Sequence, residues 1–173
     1  NETEAISELN LPQYFFVLAL VSNESDSLFM LALNGGEGKY GFLDIVDEYS
    51  GTKAANLANY SIGMSYLNLK EYDKAITYLE KFNSDDILLK SISLGTIGDC
   101  FSELNQPKEA YEYYKKAFKH NENIYTTPKY LLKAALIGSE LGEYRSALNY
   151  LNRIKEEFPD SYEFSLVVVQ IGR

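Results

Sequence analysis

Three stretches of the chain fall on one frame: IGMSYLNLKEYDKAITYLEKF from Ile62, IGDCFSELNQPKEAYEYYKKA from Ile97 and AALIGSELGEYRSALNYLNRI from Ala134. Small residues recur at Gly63, Gly98 and Ala135, spaced by 35 and 37. An aromatic follows three residues later at Tyr66 and Phe101, where the third copy has Gly138. Twelve residues after each small residue stands an alanine (Ala75, Ala110, Ala147), and three before each alanine stand Tyr72, Pro107 and Tyr144. A period of this size marks an array of supersecondary units, none of which can bury its apolar face alone. In ITYLEKF and YEYYKKAF the apolar and aromatic residues recur at three and four, which makes one stripe of a helix. The small residues let paired helix backbones approach closely. About three stacked units are needed for stability, and three copies are present.

This frame resembles the tetratricopeptide repeat (TPR), a helix–turn–helix unit. The resemblance covers Ala54–Pro159, and the third copy has the fullest signature in Leu141-Gly142, Tyr144, Ala147 and Pro159. It implies an all-α chain, a TPR-like α-solenoid of stacked antiparallel hairpins, with repeats at about 54–88, 89–124 and 127–159. The sequence departs from the family in two ways. No Trp stands at the fourth repeat position, which holds Asn59, Leu94 and Leu131. Gly138 replaces a bulky aromatic, which predicts a looser third hairpin. The two extra residues before the third copy lie near Tyr125-Thr126-Thr127-Pro128 and read as a loop insertion.

Residues 1–53 read as N-terminal helices and a degenerate hairpin. Glu2–Val21 is helical by pattern, with Ile6, Leu9, Phe15, Val17, Leu18 and Val21 apolar. Ser22–Ser25 breaks that helix, and Asp26 is placed to cap a short one running through Asn34. Gly35–Gly38 is a loop and Tyr40–Tyr49 a further helix; Gly41 falls 34 residues before Ala75, in register with the repeats. At 161–173, Ser161–Ile171 is a helix that either caps the array or is half of a cut repeat. A cut repeat exposes an apolar face and invites a homodimer through that terminal helix.

The function classes narrow quickly. With 173 residues, 46% of them apolar and 24% charged, the chain is one globular domain in size and composition. Sixteen basic residues against 25 acidic give a net charge of −9 with no basic cluster, so nucleic acid is not an expected partner. The longest apolar run, Tyr14–Val21, falls far short of a membrane span. Position 1 is Asn, so the chain reads as a mature or engineered fragment with any targeting segment or membrane tether outside it. One cysteine and one histidine leave little for a disulfide, a zinc site or a His-based triad.

Single motifs read as structural. Gly36–Gly41 spells GEGKYG and fits G-x-G-x-x-G, and Leu28–Leu33 passes as a strand before it. However, no βαβ unit follows, Asn59-Tyr60-Ser61 stands where an acidic residue is required, and Glu37, Asp44 and Asp47 would face the phosphates. A flexible interhelical loop is the reading. Cys100 reads as a buried thiol, His120 as the end of a helix over Lys108–Lys119, and Glu109/Glu112 and Glu156/Glu157 as solvated faces. No catalytic residue, cofactor or metal is expected.

What remains is the concave groove of first helices that the TPR resemblance implies. Carried over by repeat position, its lining is Leu57, Tyr60, Ser61, Met64, Leu67 and Asn68 from the first copy. The second copy supplies Ile92, Gly95, Thr96, Asp99, Ser102 and Glu103, and the third Lys129, Leu132, Lys133, Leu136, Ser139 and Glu140. An apolar end and a mixed-charge end suit a peptide or a partner helix; the chain's own N-terminal helices are the competing occupant. Lys129 and Lys133 match two cations of the carboxylate clamp of some TPR co-chaperones. Tyr60, Met64 and Thr96 stand where the clamp has a lysine and two asparagines, so chaperone-tail binding is not expected.

A narrower resemblance covers Gly41–Pro159. The stretch GFLDIVDEYSGTKAANLANYSIGMSYLNLKEYDKAITYLEKF, with Tyr49, Gly51, Thr52, Ala54 and Ala55, is similar to membrane-anchored TPR proteins of Bacteroidetes. Those in turn resemble the ancillary subunit of the SecY translocon. The resemblance implies a non-catalytic scaffold on the periplasmic side of the inner membrane. The alternatives are a lipoprotein-type component of outer-membrane assembly and a cytosolic adaptor or co-chaperone.

Overall fold

The computed structural model describes residues 1–21 and 25–171. Apart from one isolated bridge between Gly36 and Lys39, the regular structure among them is helical. In chain order the helices are α1 (Glu2–Val21), α2 (Ser25–Asn34), α3 (Phe42–Glu48), α4 (Lys53–Asn68), α5 (Tyr72–Lys81), α6 (Ile87–Glu103), α7 (Pro107–His120), α8 (Thr127–Glu140), α9 (Tyr144–Glu157) and α10 (Tyr162–Ile171). Of the expected break at Ser22–Ser25, positions 22–24 lie outside the described residues, while Ser25 is already the first residue of α2. Asp26 lies in the first turn of α2 rather than at its cap, where its charge faces the positive end of the helix. Leu28–Leu33 is helical, so no strand precedes the glycine-rich loop. The α3 helix starts two residues later than expected because Gly41 is its N-cap, its N–H donating to Asp44 Oδ2 at 2.8 Å.

The three repeats are the hairpins α4/α5, α6/α7 and α8/α9. Each turns through three residues, Leu69-Lys70-Glu71, Leu104-Asn105-Gln106 and Leu141-Gly142-Glu143. The N–H groups of Glu71, Gln106 and Glu143 donate to the carbonyls of Tyr66, Phe101 and Gly138 at 2.9, 2.9 and 2.7 Å. The middle residue is left-handed each time, with φ of 60°, 56° and 81° at Lys70, Asn105 and Gly142. This is a Schellman closure, which satisfies carbonyls that the end of a helix leaves orphaned. Within the hairpins the small residues set the spacing. A Cβ on Gly63 would lie 2.4 Å from Leu79 Cγ, and one on Gly98 would lie 2.7 Å from the Tyr114 ring.

Gly138 leaves no gap on the side that faces α7. The Tyr111 ring of α7 occupies that space, 3.1 Å from where a Cβ would stand. The expected loop at Tyr125–Pro128 ends earlier, since Thr127 and Pro128 belong to the first turn of α8. Asn123 Oδ1 organises the turn before it by accepting from the N–H groups of Tyr125 and Thr126, both at 2.9 Å. Arg153 of α9 pairs with Glu122 of this loop at 3.2 Å and with Glu157 at 2.7 Å.

The chain forms two compact units, Asn1–Asn83 and Ser84–Arg173. The first is built on Phe16, Phe29, Leu33, Phe42, Ile45 and Ile62, with Phe16 edge-on to Phe29 and Phe42. Helix α1 buries Ala5, Pro12, Phe16 and Ala19, while Ile6, Val17 and Val21 face outward. No charge marks a solvent side between Leu9 and Val21, so tertiary packing, with the Phe16 ring against Phe29 and Phe42, rather than hydropathy along the helix, chooses the buried face. At the expected Trp position, Asn59 is buried and its Oδ1 has no hydrogen-bond partner among the described residues. The second unit is built on Tyr111, Tyr114, Phe118, Tyr130, Leu131 and Ile154. Ser161 Oγ accepts from Phe164 N–H at 3.1 Å and so caps α10 from just outside it.

Candidate protein-binding face

In the first unit the relevant surface is that of α4, which Thr52 opens as N-cap by accepting from Ala55 N–H at 3.1 Å. Leu57 and Asn68 are exposed at opposite ends of the helix. Tyr60 is half-buried against Phe82, with ring centroids 5.1 Å apart, and burial raises the pKa of its hydroxyl. Ser61 is buried, with its Oγ 3.4 Å from Gln13 Oε1 of α1. Met64 packs on the edge of the core. Helix α1 therefore lies over the middle of α4, and Ser61 is shut beneath it.

In the second unit, α6 and α8 bring two of the expected residues, Asp99 and Lys133, together around Tyr114 of α7. Asp99 Oδ1 accepts from Lys133 Nζ at 2.5 Å and from the Tyr114 hydroxyl at 2.7 Å. Tyr114 stacks on Tyr130 with the rings 15° apart in angle, while Lys133 and Lys129 stand over the Tyr114 and Tyr130 rings at 5.6 and 5.5 Å. Burial, and then the charge of Asp99, drive the Tyr114 hydroxyl far above its usual range, so it stays a donor. Thr96 is buried in α6, whereas Ser102, Glu103, Glu140 and Leu136 are exposed. The charge of Lys133 is thus already met by Asp99, unlike a clamp cation held ready for a carboxylate.

Sequence reading missed the two tyrosines that organise this junction. Its one trace was Gly95, a groove position without a side chain. A Cβ there would lie 2.0 Å from the Tyr130 ring. Also unread was an apolar cleft of about 380 Å³ between α8, α9 and α10, floored by Leu132, Leu136, Leu148 and Leu166.

The remaining motifs are accounted for by the fold. Gly36–Gly41 forms a tight reversal with Lys39 N–H bonded to Gly36 O at 3.0 Å. Side chains at Gly35 or Gly41 would strike backbone atoms at 2.1 and 2.3 Å, so this crossing of the chain demands the glycines with no phosphate involved. Cys100 is fully buried in α6, and burial, with a contribution from Asp99, pushes its thiol up to about 12. His120 is exposed in the last turn of α7. Among the described residues no group of three or more His, Cys, Asp or Glu side chains is arranged to hold a metal. No helix among them is long and apolar enough to cross a membrane.

Family models of the tetratricopeptide repeat match residues 58–84, 92–123 and 130–161. The chain carries tetratricopeptide repeats. The matched segments fall on α4/α5, α6/α7 and α8/α9, and the all-α solenoid class follows from them. Among solved structures, this TPR chain is similar to the crystal structure of PilW, described as a widely conserved type IV pilus biogenesis factor. The TM-score is 0.65 at 19% identity, covering 95% of this chain and 67% of that one. At that identity the likeness is one of fold. No curated protein matches the sequence.

Proposed function

We propose that this TPR chain is a non-catalytic scaffold that holds a peptide or partner helix against its first-helix face. The observation that carries the reading is the Asp99–Lys133–Tyr114 junction on α6, α8 and α7 beside exposed Leu136. The internally satisfied junction keeps α6, α7 and α8 in one fixed arrangement, and the leucine edge gives a partner apolar surface to bury. TPR proteins typically act as protein-binding scaffolds, which favours this class over an enzyme. The narrower reading puts the scaffold at the bacterial cell envelope, on the periplasmic side of the inner membrane. It rests on the resemblance of Gly41–Pro159 to membrane-anchored TPR proteins.

Photo-cross-linking residues at Leu136 and Ser102 in cells, with Lys116 and Asn149 on second helices as controls, test the binding face. Discrete adducts with a different protein, distinct in mass from a dimer of the chain itself, are expected from the first two positions alone; equal yields from both faces, or self-adducts only, would sink the reading. Lys133→Ala is expected to leave partner capture within about twofold, because a surface-accessible ion pair contributes little. A large loss would restore the clamp. Protease added to spheroplasts of cells making the whole protein is expected to digest this region; protection would return the reading to a cytosolic adaptor.

A further inference from the structure

We infer that the chain self-associates head to tail, the outer ridge of α1 from one copy seating in the α8–α9–α10 cleft of another. Among the described residues the lining of the cleft carries no charge; Ser139 and the Tyr144 hydroxyl are its polar groups among leucines, alanines and Val167. It is open to solvent, with Leu136, Leu148 and Tyr144 exposed by 51%, 57% and 69%. An occupant must therefore bring an apolar ridge that carries no charge, since a charge buried there would find no partner.

This chain presents such a ridge. On α1, Tyr14, Val17, Leu20 and Val21 are exposed by 60%, 51%, 53% and 79%. Tyr14, Val17 and Val21 follow the three-and-seven spacing by which a helix anchors in a groove. From Leu9 to Val21 there is no Asp, Glu, Lys or Arg, whereas the acidic residues of α1 (Glu2, Glu4, Glu8) lie at its other end. Each surface is a contiguous run of exposed apolar side chains rather than a scattering of single hydrophobics. One helix ridge seated in one cleft buries less than a stable complex does, which sets a weak, concentration-dependent association. A ridge in a cleft buries more than two ridges side by side. The contact is heterologous, so it propagates from copy to copy unless geometry closes a ring.

The test uses purified chain alone and does not depend on any foreign partner. Single variants Val17→Cys and Leu136→Cys are mixed in equal amounts under mild oxidation, with buried Cys100 left in place and the unsubstituted chain as control. The expected product is the mixed disulfide joining position 17 of one variant to position 136 of the other, and a chain carrying both substitutions gives a ladder. Sedimentation of the unsubstituted chain shows mass rising with concentration. Leu136→Glu weakens that association by at least about tenfold, the cost of burying an unpaired charge, with helicity unchanged. Predominant dimers of the Val17→Cys variant with itself, or of the Leu136→Cys variant with itself, would overturn the inference in favour of ridge-on-ridge or cleft-on-cleft pairing. Monomeric sedimentation up to about 1 mM would overturn it altogether.

Discussion

Gly95 shows how a single absent side chain sets a contact. The Tyr130 ring fills the place where its Cβ would be, and Tyr130 is 1% exposed, so the ring has nowhere to retreat. Gly95→Ala is expected to cost about 1–3 kcal/mol through overpacking, against the few tenths typical of a neutral surface change; urea unfolding monitored by helicity measures it. At this scale the sequence was half legible. The lone cysteine, between Asp99 and Phe101 and without a neighbouring cation or helix N-terminus, was readable as a buried thiol. Asp99, Lys129 and Lys133 were readable as groove residues by repeat position. That Asp99 would hold Lys133 was not, because the pairing crosses between helices 34 residues apart and depends on the tyrosine hydroxyl between them.

At the scale of elements, the three repeat turns perform one task with three different residues. Gly142 adopts its left-handed φ freely, whereas Lys70 adopts a similar one with a Cβ in the way. Lys70→Gly is therefore expected to raise stability by about 0.5–1 kcal/mol, visible as a higher midpoint of thermal unfolding. Helix positions were legible to within a residue or two where a cap or turn residue marked them, as at Ser161 and Pro107. The orientation of α1 was not. A helix uncharged on every side over its second half offers no polar face for a pattern to detect, and the buried face of Ala5, Pro12, Phe16 and Ala19 is set by packing on α2 and α4, with the Phe16 ring against Phe29 and Phe42. Gly41 was misread for a related reason, since a glycine N-cap leaves no side-chain signature.

For the molecule as a whole, two acids of the second unit are held in their neutral forms. The Cys100 thiol is pushed from 9.0 to about 12, and the Tyr114 hydroxyl is raised as well. The unfolded chain releases the thiol proton first, so this contribution to stability is fully present below pH 9. It is lost as pH climbs toward 12, at about 1.4 kcal/mol per pH unit for one proton. Denaturant midpoints are expected to be flat up to pH 9 and to fall above it, and Cys100→Ala should make the fall shallower. The array itself was legible because its period is written in small residues; the joining of its hairpins was not, and here Tyr111 matters most. By lying over Gly138 it makes α7 and α8 share one piece of core, so the last repeat borrows its packing from the one before. In native-state hydrogen exchange, amides of α7 and α8 are then expected to open together, with α9 and α10 free to exchange first. Fraying from the C-terminal end would advance through α10 and α9 and halt at α8, leaving a half-unravelled array with its Asp99–Lys133 junction still assembled.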